Sequence, residues 1–202
     1  MTVYNNPIVL QRADPWVLKV DGEYWFTASD PEYDKIAIRH ASTINDLQKA
    51  PETVVWRKHE SGVCSKYIWA PELHRVNGAW YIYFAGAEHE FEPNGMPTHR
   101  MFVLENTDAD PTTDNWVEKG QIVTPMDSFS LDATTEVIDG VQYLVWAQKD
   151  YDIPGNSKTF ATLPYCDPAA VARRALEYAR AGRGVYTPRL FYKFYRLLAK
   201  IL

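Results

Sequence analysis

Two aspartates sit at matching places in a repeated pattern of this chain. Asp14 lies seven residues before an Asp-Gly pair (Asp21-Gly22), and Asp132 lies seven residues before another (Asp139-Gly140), 118 residues further on. Carboxylates that converge on one cavity can share acid–base work. Hydrolysis of a sugar acetal needs one group to protonate the leaving oxygen and one to activate water, and an inverting reaction sets them about 6.5–9.5 Å apart. A third carboxylate nearby holds the acid's proton by like-charge repulsion. A single strand-initial aspartate is more often a turn cap or a solvent-facing group; recurrence in one slot is what argues for chemistry. The second copy of the pattern, ending in Asn77-Gly78, carries Ala70 in that slot. Glu72, two residues on, shares its face in a strand and is a candidate for the same cavity.

Little else in the chain offers chemistry. There is no HExxH, GxSxG, GxxxxGK or GxGxxG motif. The five histidines (His40, His59, His74, His89 and His99) are scattered without a ligand pair, so neither a metal nor a cofactor is expected. His40 and His74 fall in strand-like segments and read as packed or hydrogen-bonded. The stretch Glu88-His89-Glu90-Phe91-Glu92 reads as a solvated loop tip, or as the rim of a pocket. Cys64 and Cys166 make no CxxC, zinc or disulfide pattern, which favours a reduced compartment.

The elements that must position these residues follow from the repeat. DPWVLKVDGEYWFTAS, APELHRVNGAWYIYFAG and DATTEVIDGVQYLVWAQ each run about seven residues to Asp-Gly or Asn-Gly and then into an aromatic-rich segment. Such a dipeptide between β-formers predicts a hairpin, because a type I′ turn needs positive φ at both central residues. The first two copies continue in parallel: KIAIRHAS (35–42) matches HRMFVLEN (99–106), and the segments around Trp56 and Trp116 match in turn. Four strands per repeat of roughly 60 residues predict blades stacked around an axis, since a lone four-stranded sheet cannot bury both faces. A plain antiparallel sandwich is the alternative. In a propeller the slot heads the innermost strand, so Asp14 and Asp132 would meet at one mouth of the channel. The 14% aromatic content suits sugar stacking, and equally suits propeller cores.

RADPWV, YIWAPELH followed by NGAWYIYFAG, and SLDATTEVIDGVQYLVWAQ resemble the family 43 glycoside hydrolases. EYWFTASDPEYDKIAIRHA, VVWRKHESG and WAQKDYDIPGNS look most like the α-L-arabinofuranosidase branch, and the resemblance covers about residues 4–157. It implies a five-bladed β-propeller acting by inversion on α-L-arabinofuranosyl, or β-xylosyl, linkages of arabinose- and xylose-containing oligo- or polysaccharides. It further implies Asp14 as the general base, Asp132 as the group that orients the general acid and tunes its pKa, and Trp69 of WAP as a wall of the sugar pocket. Glu72 stands beside Trp69 as a substrate-binding candidate. The family's general acid is a glutamate of blade four in an Asn-Glu-Gly-Pro-like setting, which no segment here matches. The one glutamate after residue 136 is Glu177, in the helix-like RRALEYARAG, and the role is not carried to it. The family's axial metal, held by a histidine of a later blade, has no matching residue either.

The 202 residues carry a net charge of −5, which argues against a nucleic-acid partner. That average hides a break: residues 1–157 hold 12 Lys+Arg against 24 Asp+Glu, and residues 158–202 hold 9 against 2. The first part is read as a partial propeller of two to three blades, all-β, and the second as a basic α-helical tail. Asp167 and Pro168 read as the start of a helix running to Gly182. Thr187-Pro188 reads as the start of another, with Arg189, Lys193, Arg196 and Lys200 on one face and Leu190, Phe194, Leu197, Leu198 and Ile201 on the other. Three readings of the tail stand: a foreign end left by truncation or a frame change, a cover for an exposed edge, or a helix on an anionic membrane. No apolar run reaches membrane-span length. The N-terminus MTVYNNPIVLQRADP has no signal-peptide pattern, which favours the cytoplasm. The expected function is a glycoside hydrolase weakened or silenced by the missing acid. A carbohydrate-binding or interaction half-propeller, self-associating through open sheet edges, is the alternative, and a non-functional remnant is a third reading.

Overall fold

The computed structural model describes residue 4 and residues 6–91, 97–124, 127–138, 141–149, 185–188 and 195–200. Alternating, aromatic-rich segments form strands in the expected order. The first sheet is β1 (Ala13–Val20), β2 (Glu23–Ser29), β3 (Lys35–Ala41) and β4 (Thr53–Arg57), hydrogen-bonded in that sequence. The second is β5 (Lys66–Val76), β6 (Ala79–Ala87), β7 (Arg100–Asn106) and β8 (Val117–Gln121). Both inner hairpins turn as the dipeptides require: φ is 52° at Asp21 and 89° at Gly22, and 50° at Asn77 and 86° at Gly78. The third expected turn, Asp139-Gly140, lies outside the described residues. No helix among the described residues is long and apolar enough to cross a membrane.

The third sheet corrects the expectation of a helical tail. It contains β9 (Ser130–Ile138) and β10 (Val141–Gln148), and its order is β11-β12-β10-β9, with β11 at Val185–Pro188 and β12 at Tyr195–Lys200. β12 pairs antiparallel with β10 from Tyr143↔Lys200 to Gln148↔Tyr195. The helix expected to open at Thr187-Pro188 is therefore absent from these strands. The reason is the open edge of β10, whose backbone donors and acceptors need partners. The segment Tyr195–Lys200 satisfies them along Tyr143–Gln148, and this long-range pairing overrides the local helical period. The helix expected over 167–182 lies outside the described residues.

The sheets stack as blades. β5 packs against β1 and β2 on one side and against β9 on the other, and β6 and β7 also reach β9. Trp25, Ile36, Ile38, Ile68, Leu73 and Trp80 fill the space between the first two sheets. Ala85, Phe129, Leu131 and Ala147, with Trp69, fill the space between the second and third. The far face of the first sheet is covered by Ile8, Val9 and Leu47, the last from the 3-10 turn Asn45–Gln48. The last five residues of β2 and the last six of β6 are buried without alternation. A sandwich sheet would bury only every second residue. The arrangement is a partial β-propeller.

A polar clamp also joins the first two blades at their outer strands. Glu118 Oε1 accepts hydrogen bonds from Trp56 Nε1 (2.7 Å) and His59 Nε2 (2.8 Å), while His59 Nδ1 lies 2.7 Å from the Val63 carbonyl. The carbonyl and the ionised carboxylate only accept, so this arrangement favours the imidazolium form of His59, in which both ring nitrogens donate. The Glu118 hydrogen bond raises the His59 pKa against the opposing effect of burial. Burial would raise that of Glu118, but the hydrogen bonds from His59 and Trp56 outweigh it and hold the carboxyl low. The histidine contribution is full below its ordinary value of 6.5 and is lost as pH rises through the raised one. The glutamate contribution is full above 4.5 and is lost as pH falls through the lowered one. Glu118→Gln is thus expected to destabilise most between those two values, by about 0.2–1 kcal/mol for so exposed a pair. Thermal melts across pH check this; a loss that does not change with pH would contradict it.

Candidate active site

The repeat slot is a β-bulge in all three inner strands. In β1, Ala13 pairs with Ser29 and Trp16 with Thr27, so Asp14 and Pro15 face Ala28 alone. In β5, Trp69 pairs with Ala85 and Glu72 with Tyr83, so Ala70 and Pro71 face Phe84 alone. In β9, Leu131 pairs with Ala147 and Thr134 with Val145, so Asp132 and Ala133 face Trp146 alone. The first bulge residue is left-handed each time, with φ of 50° at Asp14, 46° at Ala70 and 54° at Asp132. That conformation costs a non-glycine residue about 1–2 kcal/mol. Ala70 bears it with no polar side chain to gain by it, so the bulge belongs to the blade itself, where it re-aims whatever side chain fills the slot. The side chains of Asp14 and Asp132 are exposed; Ala70 is buried.

Asp14 is held from the neighbouring strand. Ser29 Oγ–H donates to Asp14 Oδ2 at 2.8 Å, and the Ala70 N–H of the next blade donates to Ser29 Oγ at 2.7 Å. Lower on the inner strands, Trp16 Nε1–H donates to the Leu73 carbonyl at 2.7 Å, and its ring lies against His74. Glu72 is half-buried and pairs with His74 Nε2 at 3.1 Å. Leu18, His74 and Glu136 stand four residues past Asp14, Ala70 and Asp132, and all three line one cavity of about 180 Å³. Equivalent positions of β1, β5 and β9, four residues past the slot, thus line a common space.

Trp69 precedes the slot of β5 and is half-buried among rings. It stacks on His99 with centroids 3.7 Å apart, and Tyr33 and Tyr67 each stand 6.1 Å away. His99 is a residue that sequence reasoning did not single out; no motif marks it. It is fully buried, and burial pushes its pKa down to about 4, against the hydrogen bond to the Tyr67 carbonyl. Nε2–H donates that bond at 3.0 Å, and the buried ring stacks against Trp69. Tyr33 is left-handed at 53°, and its carbonyl accepts the Ile68 N–H at 3.0 Å, which pins the β2–β3 loop over the start of β5.

That loop gathers Asp30, Glu32 and Asp34 with carboxylate oxygens within 4.8 Å of one another. The ammonium of Lys35 sits where a cation would, 2.8 Å from Asp30, 3.1 Å from Asp34 and 3.6 Å from Glu32. His40 stacks on Trp25 at 4.0 Å and pairs with Glu23, as a packed strand histidine should. Glu88 and His89 rim a cavity of about 270 Å³ that also touches Cys64, Thr98 and Arg100, while Glu90 and Phe91 are exposed and Glu92 lies outside the described residues. Burial pushes the Cys64 thiol up, with Glu118 adding to it. Cys166 and Glu177 lie outside the described residues.

Residues 4–167 match the family model of Glycosyl hydrolases family 43. The chain is 49% identical, over 158 residues, to an extracellular exo-α-(1→5)-L-arabinofuranosidase of Streptomyces avermitilis, covering 78% of this chain and 32% of that one. It is 46% identical over 187 residues to α-L-arabinofuranosidase 43 of Humicola insolens, covering 89% of this chain and 38% of the relative. The crystal structure of an α-L-arabinofuranosidase from Lactobacillus brevis superposes with a TM-score of 0.73 at 51% identity, covering 76% of this chain and 49% of that one. The chain therefore spans from about a third to half the length of these relatives. Its blades, its slot and its sequence agree: the chain belongs to glycosyl hydrolase family 43, whose members fold as five-bladed β-propellers.

Proposed function

We propose that these blades carry the base side of an inverting α-L-arabinofuranosidase site. The observation that supports it most is the aspartate-bearing bulge repeated in blades one and three, in a chain whose relatives are named for that activity. Asp14 is exposed, and Ser29 engages Oδ2, so Oδ1 is the oxygen that takes a proton from water. That water attacks the anomeric carbon from the face opposite the leaving group, which inverts the configuration. Asp132 stands by the general acid, orienting it and, by like charge, keeping it protonated. Trp69, stiffened by His99, forms a wall of the sugar pocket, and Glu72 supplies a polar contact beside it. The substrates are arabinofuranosyl-containing oligo- or polysaccharides.

The protonating partner is the weak point of these 202 residues, since no Asn-Glu-Gly-Pro-like segment occurs in them. The alternative reading is a blade set that binds arabinose-containing chains without cleaving them. A dinitrophenyl arabinofuranoside separates the two, because its leaving group departs without a proton. The polypeptide is expected to hydrolyse it and to release the inverted anomer, seen by proton NMR at early times. Turnover of arabinobiose, which needs the acid, is expected to fall about 10²–10⁴-fold below that of a five-bladed relative. Equal turnover of arabinobiose would refute the missing acid, and a retained anomer would refute inversion. Tight binding of arabino-oligosaccharide with neither substrate cleaved would establish the second reading.

A further inference from the structure

Ser29 stands where blades two and three carry alanine. Counted from the hairpin turns, Ser29, Ala85 and Ala147 occupy one place, each paired with the residue just before the slot: Ala13, Trp69 and Leu131. Ala85 and Ala147 are buried and pack into an apolar cluster, so a blade does not need a hydroxyl there. Ser29 is equally buried, at 2% exposure. Burying a hydroxyl is unfavourable unless its hydrogen bonds are made, and both of its partners belong to the slots. The Ala70 N–H can only donate, so it occupies a lone pair of Oγ, and the single hydroxyl proton is directed to Asp14 Oδ2. No rotor freedom is left. The corresponding place beside Asp132 is Ala147, which has no hydroxyl to offer.

We infer that Ser29 is a positioning residue for Asp14. It fixes one carboxylate oxygen, leaves the other for water, and registers the carboxylate against the β5 segment that bears Trp69. The inference rests on the reading of Asp14 as the base. Ser29→Ala installs the residue that the repeat itself uses in the other blades, which makes it a mild change for the fold.

With a dinitrophenyl arabinofuranoside, Ser29→Ala is expected to lower kcat about 10–100-fold, the scale of a misplaced reacting group, with KM nearly unchanged. Ser29→Thr, which keeps a hydroxyl, is expected to recover most of the loss. On an Asp14→Ala background, Ser29→Ala is expected to add nothing, because it acts through the carboxylate; losses that multiply would overturn the inference. Unchanged turnover in Asp14→Ala would instead sink the base assignment, whereas a loss there with none in Ser29→Ala sinks only the positioning role. The Ala70 amide resonance gives a second measurement that needs no turnover. Asp14→Ala frees the Ser29 hydroxyl and is expected to shift that resonance; with Ser29→Ala already present, the same change is expected to leave it in place. Equal shifts in both backgrounds, or none in either, would overturn the coupling.

Discussion

Asp14→Asn is expected to lower the turnover of a dinitrophenyl arabinofuranoside by about 10²–10⁴-fold, the range for loss of a general acid or base. The substitution is chosen for what it leaves intact. Asparagine tolerates the left-handed backbone that Asp14 adopts at φ 50°, and its carbonyl still accepts the Ser29 hydroxyl. Only the capacity to take a proton from water is removed. The loss is therefore expected in kcat, with arabino-oligosaccharide affinity and melting temperature close to the parent's. Kinetics, calorimetric titration and thermal melts together check the claim. A variant with parental turnover would remove Asp14 from the reaction.

The largest effect on stability is expected at Trp80, which is 1% exposed at the centre of the cluster between blades one and two. Its ring meets Trp25 at 5.3 Å, the Arg75 guanidinium lies over it at 4.9 Å, and Nε1–H reaches the Ala109 carbonyl at 3.3 Å. Trp80→Ala leaves a cavity that two sheets must collapse to fill, and is expected to cost about 3–5 kcal/mol. That is a large fraction of the stability of a typical domain. Urea unfolding should show a lower midpoint at an unchanged slope. Val123→Ala, at an 89% exposed site, serves as the control and is expected to stay within about 0.5 kcal/mol of the parent. A tolerated Trp80→Ala would mean that the blades do not depend on that interface.

Much of the site was legible because its parts are local. Asp21-Gly22 and Asn77-Gly78 announce their turns, the two-residue period announces the strands, and counting back from each turn finds the slot that holds Asp14 or Asp132. Glu72 follows from the same count, whereas Trp69 is marked only by the family resemblance of its WAP motif. His99 could not be found that way, since it lies outside the repeat slot and meets Trp69, 30 residues earlier in the chain, only once the second sheet has formed. Ser29 left a faint sign, a hydroxyl where the repeat elsewhere has Ala85 and Ala147. The sign acquires meaning only with Ala70, 41 residues away, in place beside it. The tail misled for a related reason: a helical period in residues 189–202 says nothing of the open β10 edge that β12 fills.

Sequence alone thus settled the repeating unit, the hairpins within it and the carboxylates at its head, because turn chemistry and strand alternation act between near neighbours. The tertiary structure decided the left-handed bulges, the Asp14–Ser29–Ala70 chain and the pairing of β12 with β10. Those join groups that meet only when separate sheets stack or pair, and burial and backbone hydrogen bonding across such contacts outweigh what any short segment prefers by itself.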